Sequence, residues 1–359
     1  MLVLREQTPE KFLPLTWTRA TFELRYGAMS PLERALLVTK DIVLQCREEI
    51  AADVRARTGL RVNDDFVGNI EYSIQQSSAF DLPFDTPWQI LTNSSSFITD
   101  DFKSWRERHT NFRDESLMNG AHIVGAREDV CIDEGSCVQP GCVLDATNGP
   151  IILGKNVVVK WSQIQGPVFV GDNCVIDGAR LRNGVSVGAR CKIGGEVSAS
   201  IFQGNANKSH EGFVGNSWLG EWVNFGALAT TSNLKNTYGT IRYQCDSRTR
   251  IDTQVQFLGS IVGDHAKIGI GQMLTTGSNI GVGCNVFGGG VAPNYVPSFS
   301  WGGVGGWSEY RRDDFLKTTE QVFARRNLQL SPSARDVLDR VFAATQVERE
   351  RFLRTSSTR

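Results

Sequence analysis

Apolar residues recur at every sixth position along residues 124–291, most cleanly at Val262, Ile268, Leu274, Ile280 and Val286. Glycine follows several of them directly, in Val262-Gly263, Ile268-Gly269 and Ile280-Gly281. Earlier copies read Val124-Gly125, Leu153-Gly154, Val170-Gly171, Val187-Gly188, Ile193-Gly194, Val214-Gly215 and Leu219-Gly220. Such a period suits short strands that each turn one side chain inward, where it stacks on the coil below. The pattern predicts a mainly β solenoid. Two stretches, about 198–212 and about 232–256, interrupt it. Their polar residues are expected to leave the prism as loops, and in solenoids function tends to sit on such excursions.

The flanks follow other periods. Residues 1–115 lack the hexad and read as a small α/β domain. Its clearest element is one helix: Ser30 as N-cap, Pro31 at the first position and Glu33 completing a capping box, then Leu36, Ile42, Val43, Cys46, Ile50 and Val54, with Gly59 as the stop. Asn93-Ser94-Ser95-Ser96 and the charged stretch 100–113 read as a loop and a polar helix leading into the repeat. The solenoid is assigned to 116–305 and a helical segment to 306–359. That segment holds one helix around Phe315, Leu316, Val322 and Phe323, and a second from Ser331-Pro332 with Val337, Leu338, Val341 and Phe342 on one face. These helices are expected to cap the last coil, whose strand edges would otherwise stay unpaired.

Composition narrows the partners. Of 359 residues 40% are hydrophobic, ample for a core. Lys plus Arg number 38 against 39 acidic residues, so no global positive field holds a phosphate backbone, and nucleic acid is not an expected partner. Eight cysteines form no Cys-x-x-Cys pair, and several fall at repeat positions, which reads as reduced core thiols. The N-terminus has no long apolar region behind a basic start, and nowhere do 18 uninterrupted apolar residues occur. The expectation is a cytoplasmic protein without a membrane partner.

The chain has four histidines, at 109, 122, 210 and 265. His210 lies in the first interruption, in Asn207-Lys208-Ser209-His210-Glu211-Gly212, just before the repeat resumes. An imidazole on a loop beside a groove suits a general base; the alternative is a histidine that merely bonds loop backbone. No His-x-x-His or His-x-x-x-x-His pair occurs, and His122, His210 and His265 stand 88 and 55 residues apart, so no metal site is expected. Asn224 and Asn233 fit either a substrate pocket or the asparagine ladders of solenoids. Lys208, Lys235 and Arg242 could meet a phosphate or remain solvated loop charges, and Arg19 and Arg25 are weaker candidates. No Gly-x-x-x-x-Gly-Lys-Ser phosphate loop is present.

Lys208-Ser209-His210-Glu211-Gly212-Phe213-Val214-Gly215, followed by Leu219-Gly220-Glu221-Trp222-Val223-Asn224-Phe225-Gly226-Ala227, resembles a known family. It is the acetyltransferase domain of bifunctional bacterial N-acetylglucosamine-1-phosphate uridyltransferase/glucosamine-1-phosphate acetyltransferases. The likeness is nearest to a divergent branch resembling sugar nucleotidyltransferases. That branch is matched in Asn233-Leu234-Lys235-Asn236-Thr237-Tyr238-Gly239, in Arg250-Ile251-Asp252-Thr253, and in Asn285-Val286-Phe287-Gly288-Gly289-Gly290. Pro297-Ser298-Phe299-Ser300-Trp301-Gly302 also matches, as do Pro14-Leu15-Thr16-Trp17-Thr18-Arg19 and Leu24-Arg25-Tyr26-Gly27.

The resemblance implies a left-handed parallel β-helix that assembles as a homotrimer, with acyl-CoA lying in a groove between prisms. It implies His210 as general base, and Arg182, Lys208, Phe213, Asn224 and Asn233 as substrate-binding residues. Ala227, Ile270 and Gly288 would line the groove for acetyl-CoA, the co-substrate. Phe213 stands where the family has a tyrosine that contacts the sugar phosphate, and Ser198 where it has a pocket lysine. Leu2-Val3-Leu4-Arg5-Glu6-Gln7-Thr8 lacks the Gly-rich loop of nucleotidyltransferases, so residues 1–115 read as a shortened version of that domain. The expected function is acyl-CoA-dependent acetyl transfer to an amino sugar or sugar 1-phosphate. One alternative is sugar-1-phosphate nucleotidyl transfer helped by Mg²⁺; another is a non-catalytic trimeric scaffold.

Overall fold

The computed structural model describes residues 1–64, 80–108 and 120–356. His109, part of the charged stretch and the boundary at 115 lie outside them. The six-residue period becomes a three-sided coil. Val262, Ile268, Leu274, Ile280 and Val286 are all buried and step from one face to the next, returning to the first face after three hexads. Nine parallel strands stack on the first face, from Val130–Ile132 to Tyr295–Val296. Ile151, Val168 and Val185 fall in register there at 17-residue intervals, so each coil is three hexads, less one residue. Long strands Val175–Arg182 and Lys192–Ser198 bend across the corner between the second and third faces and pair on both.

The first expected excursion is instead an ordinary coil. Ile201–Phe202 pairs with Ser186 and Val187 above and Trp218 and Leu219 below, and Asn207–Lys208 pairs with Lys192 and Ile193. Phe202, Ala206 and Lys208 are the inward residues. The hexad looked broken because a lysine occupies an aliphatic position. On the second face the inward row reads Val138, Val159, Ile176, Ile193 and Lys208, and continues through Phe225, Ile268 and Val286.

The second excursion does leave the prism. Trp218 pairs with Ile261, and the chain between them includes an antiparallel hairpin of Arg242–Gln244 and Arg250–Asp252. Ile241, Tyr243 and Leu258 pack with Phe12, Leu15 and Trp88, so the hairpin segment helps seat the N-terminal region on the solenoid.

In that region the expected single helix is two, α1 (Pro31–Val38) and α2 (Glu48–Thr58). Ser30 and Glu33 form the anticipated capping box, and Gly59 closes α2 with φ +69°. Between the helices, Ile42–Gln45 is a strand (β2), flanked by β1 (Leu2–Arg5) and β3 (Arg61–Val62) in a parallel sheet. Ile42, Val43 and Leu44 are all buried, and a continuous apolar run covered on both faces is the mark of a parallel strand. α3 (Pro87–Thr92) and α4 (Ser94–Arg108) follow; Ile98 and Phe102 of α4 pack on Ile152 and Phe169 of the first face.

α5 (Arg312–Ala324) and α6 (Pro332–Ala344) match the expected helices, and α7 (Gln346–Ser356) is a third. They pack on Phe299 at a corner of the last coil, while on the second face a strand covers the coil edge. Gly306–Glu309 folds back antiparallel on Ser300–Gly303, and α7 packs on that strand. The fully buried Arg349 pins α7 by bonding Glu309 at 2.7 Å and the Phe342 carbonyl at 3.3 Å. One core joins Leu2, Leu44 and Val54 to Val282 and Phe299 of the solenoid and to Phe315, Val337 and Leu338 of the helices. Among the described residues no helix is long and apolar enough to cross a membrane.

His265 sits where solenoid and α5 meet. Its ring is near-parallel to Trp222, which stacks on Phe323 with centroids 4.1 Å apart. Burial pushes its pKa down to about 3, and the neighbouring Asp264 carboxylate offsets only part of that. The unfolded chain, with the ordinary value of 6.5, therefore takes up the proton first. The stability this neutral ring contributes is complete above pH 6.5 and is lost as pH falls towards 3. Thermal unfolding should show a contribution from this group of up to about 1.4 kcal/mol per pH unit in that window. His265→Phe, which keeps an aromatic ring, should flatten the Tm-versus-pH profile by that amount. Superimposable profiles for the two proteins would count against this account.

Candidate functional site

His210 lies at the corner between the second and third faces, between strands Asn207–Lys208 and Phe213–Gly215. It is exposed, and its imidazole makes no hydrogen bond to any described residue. The alternative reading, a histidine that serves loop backbone through its ring, is not what the geometry gives. Its main chain, by contrast, is held: the Lys208 ammonium donates to the carbonyls of His210 and, at 2.9 Å, of Gly194.

Lys208 itself is turned into the prism and is only 1% exposed. Burial lowers its pKa to about 8, the nearby Glu211 carboxylate countering part of the effect. A buried ammonium is tolerated only with such partners. Gly195 supplies the space: its φ is +70°, and a Cβ there would stand 2.9 Å from Nζ.

The corner continues downward as a column. Leu228 N–H donates to the Glu211 carbonyl and Gly271 N–H to the Ala227 carbonyl, both at 2.8 Å. Ala227 and Ile270 thus lie on successive coils beneath His210, with Gly288 at the equivalent turn after Asn285–Phe287. Ile270 is 74% exposed and Leu228 65%, giving an apolar ridge, and no atom lies within 3.8 Å of where a Gly288 Cβ would be.

Arg182, Phe213 and Asn233 belong to the third face. Arg182, Ser198 and Gly215 stack in register, the Phe213 ring lies against Gly215, and Asn233 Nδ2 is close to the same glycine. Arg182 is ion-paired with Glu196. Asn233 Nδ2 donates to Asn216 Oδ1 at 2.7 Å, the ladder geometry of solenoids. Of the other basic candidates, Lys235 donates to the Thr240 carbonyl within the second excursion, and Arg242 begins its hairpin and is exposed.

Asn224 belongs to the second face, away from Asn233. It accepts from Asn207 Nδ2 at 2.7 Å, and Asn207 in turn accepts from the Ser209 hydroxyl at 2.7 Å. One outward column on this face reads Lys192, Asn207, Asn224, Lys267 and Asn285. Sequence reasoning passed over Lys192 and Lys267. Their signal was positional, each one residue before an inward apolar residue on its own coil.

Arg19 and Arg25 are committed elsewhere. Arg19 pairs with Asp264 and Glu221, and Arg25 with Glu33. Among the described residues no three His, Cys, Asp or Glu side chains converge as a metal site would require.

No family profile matches the chain. Over 89 residues it is 36% identical to a curated protein of Methanocaldococcus jannaschii named Bifunctional protein GlmU. That stretch is 25% of this chain, and the chain spans about a fifth, 21%, of the relative's length. The chain is thus a distant, partial match to that bifunctional protein, and its stacked parallel strands are those of a hexapeptide β-helix.

Proposed function

We propose that the chain is an acyltransferase that moves an acyl group, in the first instance acetyl, from coenzyme A to an amino sugar or sugar phosphate, with His210 as general base. The observation that carries this reading is an exposed imidazole, without a hydrogen-bond partner among the described residues, at the head of an apolar ridge formed by Leu228 and Ile270. Such a ridge suits the thin, largely apolar arm of an acyl-CoA, and the small residues Ala227 and Gly288 leave the backbone open to it. The coenzyme would supply the activated thioester carbonyl. His210 takes a proton from the acceptor amine as its nitrogen bonds the acyl carbon, and returns that proton to the departing thiolate as the C–S bond breaks.

The acceptor rests on the third face, beside Phe213 and Asn233, with Arg182 available where Glu196 yields it. The reading carries with it a left-handed coil and a homotrimer in which a neighbouring prism forms the second wall of the groove. Asn224, on the other side of the corner, then serves that neighbour's site.

Lys208 acts as a positioning residue. Its ammonium fixes the His210 carbonyl and hence the path of the corner, without touching substrate.

His210→Ala should lower acyl-CoA-dependent thiol release with an amino-sugar acceptor by about 10² to 10⁴ while coenzyme binding survives. Turnover equal to the parent's would remove His210 from the chemistry.

Lys208→Met keeps the volume but strips the two carbonyls of their donor, which costs about 1–3 kcal/mol of stability for each carbonyl left buried and unpaired. We expect kcat to fall while KM for the acyl-CoA stays within about threefold, as for loss of a contact felt in the transition state. Lys208→Arg, whose guanidinium also donates, should recover part of kcat. An unchanged kcat in Lys208→Met would reduce Lys208 to a purely structural part.

A further inference from the structure

A second site stands on the second face, where α5 comes down over the solenoid. A cavity of about 340 Å³ is lined there by Lys192, Asn207, Asn224 and Lys267 from the coils and by Arg325 and Arg326 from the end of α5. No carboxylate lines it, although the chain has 39 acidic residues and a net charge of only −1.

Among the described residues none of the four cations has a carboxylate partner. Lys267 Nζ has one partner, the Trp222 carbonyl at 2.7 Å, and an ammonium has three protons to donate. Arg326 donates to the Arg190 carbonyl at 2.8 Å. The side chains of Lys192 and Arg325 have no partner among the described residues. Burial pushes the Lys267 pKa down to about 8 with no acidic group to counter it. Asn224 adds a neutral donor, because among the described residues only its Oδ1 is engaged.

A simpler account assigns Arg325 and Arg326 to the C-terminal end of α5. That end carries about half a negative charge, which four full positive charges exceed several-fold. Like charges converging in a concave, partly dry pocket repel one another unless an anion joins them.

We propose that this pocket binds a compact phosphate-bearing ligand with at least two negative charges, a phosphomonoester or diphosphate group, held by Lys192, Lys267, Arg325 and Arg326. The site is separate from the ridge beneath His210 and goes beyond the acyl-transfer reading, with which it shares Asn224 but none of its four cations. It needs neither the imidazole nor the coenzyme.

Titration calorimetry at constant ionic strength, with pyrophosphate and inorganic phosphate as probes, tests it. Pyrophosphate should bind with a Kd at or below about 1 mM, and more tightly than phosphate. The double variant Lys192→Gln/Arg325→Gln changes two exposed side chains that make no hydrogen bond or ion pair among the described residues, so the fold should be kept. It should weaken pyrophosphate binding about tenfold or more, the range of charged hydrogen bonds. His210→Ala should leave it unchanged. The proposal is overturned if neither anion binds, if the double variant binds as the parent does, or if His210→Ala abolishes binding, which would move the anion to the corner. Acyl-transfer activity can fail while this binding persists, and the reverse, so the two readings fall separately.

Discussion

Each face of each coil offers the interior only one or two inward side chains, and the rest of the molecule depends on that constraint. Parallel ladders fix the register, so inward residues of successive coils lie directly over one another and a misfit is passed to its neighbours. Val, Ile and Leu, with Cys, Ala and Phe, satisfy the rule almost throughout. Lys208 is a charged exception, and it fits because its stem packs as an aliphatic chain while its head reaches the corner carbonyls of Gly194 and His210. The same side chain therefore completes the core and sets the turn that carries the exposed imidazole. Core packing and site geometry are one arrangement at this coil.

A solenoid coil touches only the coils beside it, so the N-terminal region must be held by contacts of its own. Arg19 and Asp264, both buried, supply one. Burial alone would push the Asp264 carboxyl upward, but the Arg19 guanidinium holds it below the ordinary carboxylate range. Asp264 also accepts from the Thr18 hydroxyl at 2.5 Å and from the Glu221 N–H at 2.7 Å. A buried pair adds little net stability over an apolar contact, yet loss of one partner strands a charge. The pair is thus better at fixing where the N-terminal region docks than at strengthening the dock. Asp264 stands at a coil corner, beside the left-handed His265, so docking and corner conformation are tied together.

Much of this was legible along the chain. The hexad identified the stacked faces, and Ser30, Glu33, Gly59 and Ser331 marked helix ends that the structure keeps. What misled was polarity read without register. The coil through Phe202 and Lys208 looked like a loop because a buried ammonium scores as polar, and nothing local reveals that carbonyls 14 residues earlier and two residues later receive it. Ile42-Val43-Leu44 looked helical because its spacing also fits 3.6 residues per turn; pairing with Leu2–Arg5, far away in sequence, decides for a strand. Asn224 and Asn233 both fitted a substrate pocket on paper, whereas the coil winds them onto different sides. The column of Lys192, Asn207, Asn224 and Lys267 becomes visible only once coil length is known, and the excursion between Asn224 and Lys267 hides it.

Charge is divided unequally across the corner that bears His210. On the third face, Arg182 is matched by Glu196 and Arg180 by Glu211, and exposed pairs of this kind largely cancel each other's field. On the second face the cations facing α5 have no such matches among the described residues. A pair 4 Å apart near a surface interacts by about 4 kcal/mol before screening, so removing the acids from one side alone makes a strong local gradient in a chain whose total charge is almost nil. An approaching anion is drawn towards the second face and α5, while the third face presents a nearly neutral surface suited to hydroxyl and amide groups.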